Sequence, residues 1–194
     1  MSDFGIIGIG RIGTSMARNM SSKGIIVSLF DKSHNSLDNL KSDYPELESS
    51  LVFDDINKFI SSISKPRKVL VLVPSGPAID KVISLLIQYL DSNDILIDGG
   101  NTNPNVSFEN HQTIKSKNLL YLGMGVSGGV KGVLEGPSIM IGGDTNAFDQ
   151  VKNIFSQITS KTINGSKSFE FFGDSNQGHF VKMIHNGIEY VEMQ

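Results

Sequence analysis

The segment FGIIGIGRIG, residues 4–13, decides the fold of this chain. An apolar run precedes three glycines, Gly8, Gly10 and Gly13, which have the spacing G-x-G-x-x-G and lead into an amphipathic stretch. This order predicts a buried strand that turns sharply into a helix. Gly8 would permit the tight turn, Gly10 would let a phosphate approach the backbone, and Gly13 would let the helix pack closely on the strand.

The start of that helix predicts a ligand. A helix N-terminus offers unpaired N–H groups and the positive end of its dipole to phosphate oxygens. An acidic residue, Asp31, ends the second predicted strand eighteen residues after Gly13, where it could accept hydrogen bonds from a ribose. A turn that merely needs small residues would explain the glycines but not this context. We therefore predict a dinucleotide site formed by Gly8, Gly10, Arg11, Ile12, Gly13, Asp31, Lys32 and Ser33.

Asp31 also bears on the choice of dinucleotide. Its carboxylate would repel the 2′-phosphate of NADP, which favours NAD. Lys32 and Ser33 follow directly and could accommodate a phosphate if the Asp31 side chain turned away. The simpler interpretation of Lys32 is a solvated loop charge. NAD is the favoured cofactor, and NADP stays possible.

The composition of the 194 residues argues against several classes of protein. The net charge is -3, so no basic surface indicates binding to nucleic acid or to an anionic membrane. The absence of cysteine rules out disulfides and thiolate metal ligands, and we predict no metal site. No apolar run reaches the roughly 18 residues of a membrane span, and the N-terminus lacks the basic region of a signal peptide. These features predict a cytoplasmic protein.

The rest of the chain alternates apolar runs with longer amphipathic segments. Strands are predicted at 4–9, 25–30, 68–73, 94–98, 119–123 and 138–142, and helices at 11–23, 33–42, 55–63, 76–90, 105–117 and 146–158. Strands that are apolar on both faces and separated by helices predict a doubly wound, mainly parallel sheet, which is a Rossmann-like α/β fold. A later pair of short strands, near 161–163 and 168–172, would add an edge hairpin. We expect a dinucleotide-binding domain over 1–176 and a final helical segment over 177–194 that leaves it.

Three loops follow strand ends at the edge where open α/β sheets bind their ligands. They are VPSGP (73–77), DGGNTNP (98–104) and GVSGGVKG (125–132). Each loop alone would be an ordinary turn, but their shared edge predicts a site. Its candidate residues are Val73, Pro74, Asn101, Ser127, Gly128 and Gly129.

The last segment, GHFVKMIHNGIEYVEMQ (178–194), is predicted to be a helix with two different faces. One face is polar and spans an arc of about 100°; it holds Lys182, His185, Asn186 and Glu189. The other is an apolar stripe expected to pack on the domain; it holds Val181, Ile184, Ile188 and Val191. Gly187 interrupts the helix at a cost of about 1 kcal/mol relative to alanine, which suggests a close approach by another segment. His34 and His111 are most simply surface residues.

Four stretches together resemble the N-terminal part of the 6-phosphogluconate dehydrogenase family. They are GIGRIGTSMARNM, IDGGNT, GVSGGVKGVLEGPSIMIGG and GHFVKMIHNGIEYVEMQ, and the resemblance covers essentially the whole chain. The sequence departs from the family in a few places. NADP-using members usually carry Asn-Arg-Thr where this chain has Asp31-Lys32-Ser33, and Thr102, Val130 and Val191 replace a common Ser, Glu and Gly.

The resemblance implies an activity. The family oxidises C3 of 6-phosphogluconate by hydride transfer to a nicotinamide, releases carbon dioxide and protonates the enediol to give ribulose 5-phosphate, a step of the pentose phosphate pathway. Lys182 matches the base that takes the proton of the C3 hydroxyl, which requires a pKa lowered by burial and by the charge of the nicotinamide. Glu189 matches the acid that protonates the enediol. The positions that match substrate-holding residues are Asn101, Ser127, Gly128, Gly129, His185, Asn186 and Tyr190.

Two alternatives stay open. The 3-hydroxyisobutyrate-type dehydrogenases are similar in fold, Ser-Gly-Gly loop and lysine, but they usually read K-x-x-N-N and G-T-L where this chain reads KMIHN and GPS. The other alternative is a non-catalytic dinucleotide-binding module. It arises because members of the resembled family are longer, form homodimers and carry a large helical domain that completes the substrate site. We expect a truncated form that keeps cofactor binding and turns over weakly.

Overall fold

The computed structural model describes residues 1–174 and 176–194, except the side chain of Ser36. The strands are β1 (Phe4–Ile7), β2 (Val27–Phe30), β3 (Leu51–Phe53), β4 (Lys68–Val71), β5 (Ile95–Asp98), β6 (Leu120–Ser127), β7 (Ser138–Gly143) and β8 (Phe169–Phe171). The α-helices are α1 (Arg11–Ser22), α2 (His34–Leu37), α3 (Leu40–Asp43), α4 (Ile56–Ser61), α5 (Pro77–Leu86), α6 (Pro104–Lys115), α7 (Gly129–Glu135), α8 (Thr145–Ile158) and α9 (Gln177–Glu192). A short 3₁₀ turn covers Pro45–Leu47.

The strands form one sheet in the order β3-β2-β1-β4-β5-β6-β7-β8. β6 and β7 pair antiparallel, and the other neighbours pair parallel. The order reverses between β1 and β4, which is where open α/β sheets open a crevice for ligands. The structure therefore confirms the predicted doubly wound, mainly parallel sheet.

Alternating residues of the central strands supply two apolar layers, one on each face of the sheet. Ile6 and Leu70 pack with α1 and α8, whereas Ile7 and Val69 pack with α4 and α5. Because both faces are buried, the central strands are mainly apolar, which is why their existence could be predicted from their apolar runs. Among the described residues, no helix has the length and apolarity needed to cross a membrane.

Three local predictions were incomplete or wrong. The helix predicted at 33–42 is two short helices, because Asn39 adopts a left-handed conformation (φ 59°) between them. The edge strand β3 was missed because it has only three residues, of which Leu51 is partly exposed. The edge hairpin is wrong: Lys161 makes only an isolated bridge to Lys167, and β8 runs parallel to β7. A strand that returns after a crossover helix, here α8, joins its neighbour in parallel.

Helix α9 lies across β6 and β7 with the opposite face inward from the one predicted. Ile184, Ile188 and Val191 are 46%, 58% and 76% exposed, so the apolar stripe does not pack on the domain. Gly178 and Lys182 face the sheet instead. The reason is steric, since glycines of the two strands bring the backbones so close that only the small and polar face of the helix fits.

The contact atoms show how close this approach is. A Cβ atom added to Gly142 would lie 2.6 Å from the Gly178 nitrogen, and one added to Gly125 would collide with the Lys182 side chain. Gly187 has no atom within 4 Å of its Cβ position, so the close approach predicted there does not occur among the described residues.

Candidate functional site

The glycine loop between β1 and α1 has the geometry that the motif predicted. Gly8 has φ 94°, a conformation that L-residues rarely adopt, and a Cβ atom on Gly13 would collide with the Gly8 carbonyl. Gly10 precedes the helix without a side-chain cap, and no atom of another described residue lies within 4 Å of its Cβ position. The residues from Gly10 to Gly13 line an open cavity, so the start of α1 is accessible to a ligand, which fits a bound pyrophosphate.

Asp31 stands directly behind this loop, one residue after β2. Its Oδ2 accepts a hydrogen bond from the Ile9 N–H at 2.8 Å, and its Oδ1 accepts one from the Ser33 N–H at 2.8 Å. The carboxylate thus fixes the loop and holds a negative charge at the end of β2. Lys32 and Ser33 are both exposed.

One large cavity, of about 1240 Å³, joins the glycine loop to α9 along the carboxyl edge of the sheet. The predicted residues that line it are Gly10, Arg11, Ile12, Gly13, Val73, Pro74, Asn101, Ser127, Gly128, Gly129, Lys182, His185, Asn186, Glu189 and Tyr190. Four predicted cofactor residues, Gly8, Asp31, Lys32 and Ser33, lie outside its lining. The structure therefore brings together the glycine loop, the three strand-end loops and a helix, from Gly10 to Tyr190, at the shared strand edge.

Lys182 is the most buried charged group of the cavity. It is 7% exposed, and its amine makes no hydrogen bond or ion pair with any described residue. Burial lowers the pKa of Lys182, and the negative charge of Glu189 opposes this shift only in part. This is the direction that a lysine needs if it is to act as a proton acceptor.

Glu189 lies two turns beyond Lys182 and is more open to solvent. Its Oε2 is 3.6 Å from Nδ1 of His185, one turn away on the same helix, and its side chain is 49% exposed. Tyr190 is 63% exposed. The site thus places a buried amine at the floor of the cavity and a half-exposed carboxylate nearer its mouth.

Comparisons with known proteins agree with this arrangement. Residues 3–166 match the family model described as the NAD binding domain of 6-phosphogluconate dehydrogenase. The chain belongs to this family. It therefore binds a nicotinamide dinucleotide, and the loop at Gly8, Gly10 and Gly13 is where the fold offers phosphate its N–H groups.

Named relatives of the family match beyond this domain. The chain is 39% identical over 190 residues to 6-phosphogluconate dehydrogenase, decarboxylating, from Staphylococcus epidermidis, covering 98% of this chain and 40% of that protein. It is 37% identical over 193 residues to 6-phosphogluconate dehydrogenase, decarboxylating 1, from Saccharomyces cerevisiae, covering 39% of that protein. The chain thus spans about two fifths of the length of these relatives.

Solved structures give the same result. The Plasmodium falciparum 6-phosphogluconate dehydrogenase, described with its cofactor NADP+ and its substrate 6-phosphogluconate, superposes with a TM-score of 0.93 at 34% identity, over 98% of this chain and 41% of that one. A 3-hydroxyisobutyrate dehydrogenase from Mycobacterium tuberculosis superposes with a TM-score of 0.82 at 20% identity, which shows a shared fold alone. The predicted resemblance to the 6-phosphogluconate dehydrogenase family is confirmed.

Several residues near the site were missed by the sequence interpretation. His179, which is 2% exposed, starts α9 beside a second cavity of about 390 Å³, and this cavity also contacts Asn101 and Lys182. Ser75 contacts both cavities. A histidine in an amphipathic helix carries no signal of burial by itself. Only its position three residues before Lys182, on the same side of the helix, could have drawn attention to it.

His111 was predicted to be a surface residue, and this is wrong. It is 7% exposed, its Nε2 lies 3.2 Å from both carboxylate oxygens of Asp144, and its ring stacks on Tyr121 with centroids 5.4 Å apart. The partner Asp144 is 33 residues away in sequence, so the pattern around His111 could not reveal it.

Proposed function

We propose that this chain provides the cofactor-binding and proton-transfer part of an NAD-dependent oxidative decarboxylation of 6-phosphogluconate to ribulose 5-phosphate. The observation that carries the proposal is the large cavity, which places the glycine loop of α1 and the Lys182–Glu189 face of α9 around one space. A cofactor-binding module without chemistry would have no need of a buried, unpaired amine in the same cavity.

Lys182 is proposed as the base. Its amine takes the proton of the C3 hydroxyl, and the bound nicotinamide supplies the acceptor for the hydride that leaves C3. The low exposure and lowered pKa of Lys182 support this role, because a neutral amine is required for the first proton transfer. The ammonium then returns its proton to the C3 oxygen as carbon dioxide leaves.

Glu189 is proposed as the acid that protonates the enediol carbon after decarboxylation. Its carboxyl group can reload a proton from solvent, because its side chain is half exposed. Nδ1 of His185, one turn away on the same helix, lies 3.6 Å from this carboxylate.

The remaining residues of the site are proposed to hold the substrate. Gly128 and Gly129 begin α7 after β6 and offer unhindered N–H groups to the sugar acid, and Ser127 adds a hydroxyl. Asn101, His185, Asn186 and Tyr190 line the same cavity and hold hydroxyls or phosphate by hydrogen bonding. The site is open to solvent at Tyr190, so turnover by this chain is expected to be slow.

NAD is proposed as the preferred dinucleotide. The charge of Asp31 is held in place by the Ile9 and Ser33 N–H groups, so it cannot turn away without breaking both hydrogen bonds. A fixed carboxylate at the end of β2 favours a ribose diol over a 2′-phosphate.

The deciding experiment is oxidation of 6-phosphogluconate by the purified chain, followed by NADH absorbance and by detection of ribulose 5-phosphate. We expect slow turnover that Lys182→Met abolishes, while Lys152→Met, a change of an exposed lysine on α8, leaves the rate unchanged. Oxidation of 3-hydroxyisobutyrate in preference to 6-phosphogluconate would refute the substrate assignment. Tight NAD binding with no turnover of either acid, in single-turnover conditions, would leave only a binding module.

A further inference from the structure

A chain of buried hydrogen bonds connects the first turn of α9 to the end of β5. Nδ1 of His179 lies 2.9 Å from Oγ of Ser107 on α6, and this oxygen lies 2.9 Å from the phenol of Tyr121 on β6. The phenol in turn donates to Oδ2 of Asp98 at 3.5 Å. All four residues are at most 2% exposed, so water does not compete for these contacts.

The chain ends on the loop that carries Asn101. Oδ1 of Asp98 accepts a hydrogen bond from the Gly100 N–H at 3.0 Å, immediately before Asn101. Burial and the charge of Asp98 raise the pKa of Tyr121 well above its ordinary value, so the phenol keeps the proton that it donates. The hydrogen bonds therefore couple the helix of Lys182 to the loop of Asn101.

His179 can also affect the position of Lys182 directly, because both residues lie on α9. The spacing of His179, Lys182 and Asn186 puts all three on one side of α9, and all three contact the second cavity. A displacement of the first turn of α9 would therefore move the Lys182 amine with it.

The imidazole brings no charge into this region. Burial lowers the pKa of His179, and the carboxylate of Asp98 and the carbonyls of Asp98 and Gly100 oppose the shift without reversing it. Because the His179 imidazole is neutral, it places no positive charge near the Lys182 amine. The hydrogen bonds hold the ring in one place, because a shift of the first turn of α9 would break the bond to Ser107 in a region without water to replace it.

We propose that His179 is a positioning residue, which sets the place of Lys182 through its bond to Ser107 and couples it to Asn101 through Tyr121 and Asp98. The inference rests on the proposed function only for the role of Lys182 as the base. The effect of His179 on the position of Lys182 does not require a bound substrate or cofactor.

The test follows the titration of the Lys182 side chain in the whole chain by NMR of ¹³C-labelled lysine, with Lys182→Met to assign the signal. Four variants are compared: His179→Phe, His179→Asn, Ser107→Ala and His111→Phe. Asn keeps a polar atom near the position of Nδ1, whereas Phe removes both nitrogens. His111→Phe is the matched control: Phe keeps an aromatic ring to stack on Tyr121, while the change removes a buried histidine whose hydrogen bond goes to Asp144 and leaves every hydrogen bond from His179 to Asp98 in place.

The expected results distinguish a change in the position of the Lys182 amine from a general loss of folding stability. Lys182 should titrate at higher pH in His179→Phe and Ser107→Ala, because the released amine reaches solvent, and stay near the wild-type value in His179→Asn. His111→Phe should lower the melting temperature without moving the titration. Apart from His179 itself, the other charged or titratable groups that line the two cavities with Lys182 are present in every variant: Arg11 on α1, Asp80 on α5, and His185, Glu189, Tyr190 and Glu192 on α9.

Two results would overturn the inference: an unchanged titration in His179→Phe, or an equal shift in His111→Phe. If His179→Phe does not fold, Ser107→Ala decides alone, since it removes only one hydroxyl. A titration shift in a chain that does not oxidise 6-phosphogluconate would keep the inference and refute the proposed function. A chain that oxidises 6-phosphogluconate but shows no change in the Lys182 titration on His179→Phe would keep the proposed function and refute the inference.

Discussion

Lys182 is buried, and its amine has no hydrogen-bond or ion-pair partner among the described residues, so it lowers the stability of the fold. Its amine is charged in the unfolded chain below about pH 10.4, whereas the folded chain lowers its pKa by burial. The folded state therefore binds its proton less readily, and stability rises with pH between the folded and unfolded pKa values. A residue that lowers stability at neutral pH is typical of a functional site.

We predict that Lys182→Met raises the free energy of unfolding at pH 7. A gain of about 1 kcal/mol would raise the melting temperature of a chain of this size by about 2–4 °C. This gain in stability should shrink as the pH rises toward about 10.4, the pKa of a lysine amine in the unfolded chain. Urea unfolding at pH 6, 7.5 and 9.5 measures this slope, and a variant that is less stable than the wild type at all three would show that the amine is not penalised.

Asp31 offers a second prediction at the residue scale. Asp31→Asn keeps an oxygen for the Ile9 N–H but removes the charge, so the preference for NAD over NADP should fall about tenfold, which corresponds to about 1.4 kcal/mol. Isothermal titration with both dinucleotides measures the ratio. Tighter binding of NADP than of NAD by the unchanged chain would contradict the role of this carboxylate. Asp38→Asn, a change in the following segment away from Ile9, serves as the control.

Helix α9 illustrates, at the scale of an element, how packing outweighs hydrophobic patterning. The helix has a clear apolar stripe, yet it turns glycine and lysine toward β6 and β7. Backbone atoms of the two strands lie so near the helix that the residue at the crossing point must lack a Cβ atom. The first part of the polar face, at Gly178 and Lys182, is therefore held against the sheet, which places Lys182 beside the strand ends while Glu189 stays half exposed.

Two glycines of α9 give a matched pair of predictions. Gly178→Ala should destabilise the chain by about 1–3 kcal/mol, because its methyl group would lie 2.7 Å from both the Gly142 nitrogen and the Met140 oxygen. Gly187→Ala should stabilise it by up to about 1 kcal/mol, because open space surrounds that position. Guanidinium unfolding measures both. Equal effects of the two changes would mean that the first turn of α9 is not seated on the strands.

At the scale of the whole molecule, Asp144 joins three elements. Its carboxylate accepts a hydrogen bond from the Tyr121 N–H of β6 at 2.8 Å, contacts His111 of α6 and precedes α8. Burial alone would raise the pKa of Asp144, but the hydrogen bonds with His111 and with the Tyr121 N–H outweigh it and lower the pKa. The contribution of Asp144 to stability is thus present above its unfolded pKa and lost as the pH falls through the lower, folded value.

We predict that Asp144→Asn lowers the free energy of unfolding at pH 7 by about 1–2 kcal/mol, the scale of a hydrogen bond to a charged group. The difference from the wild type should begin to shrink as the pH falls below about 3.9, the pKa of an unfolded Asp, and should disappear only below the lowered pKa of the folded state. Thermal unfolding between pH 3 and pH 7 measures the dependence. Asp149→Asn, which changes an exposed carboxylate of α8, should alter stability by less than about 0.5 kcal/mol at every pH.

Local patterns were enough to predict much of the fold and the site. Residues such as Ile6 and Ile7 are buried on opposite faces of the sheet, so their strand reads as apolar without knowledge of its neighbours. The glycine loop could be predicted because Gly8 and Gly13 are required by the loop's own backbone. The meeting of Asn101 with Lys182 followed from one rule, that parallel strands end at a common edge.

Contacts between distant residues could not be predicted in this way. The sequence by itself determined the order of strands and helices, the dinucleotide loop and the polar residues of α9, because each depends on neighbours within about one turn or one loop. Only the tertiary structure decided which face of α9 is buried, the partners of His111 and the bond of His179 to Ser107. These depend on how closely backbones approach across the sheet, and at β6 and β7 glycine permits a distance that hydrophobic periodicity does not encode.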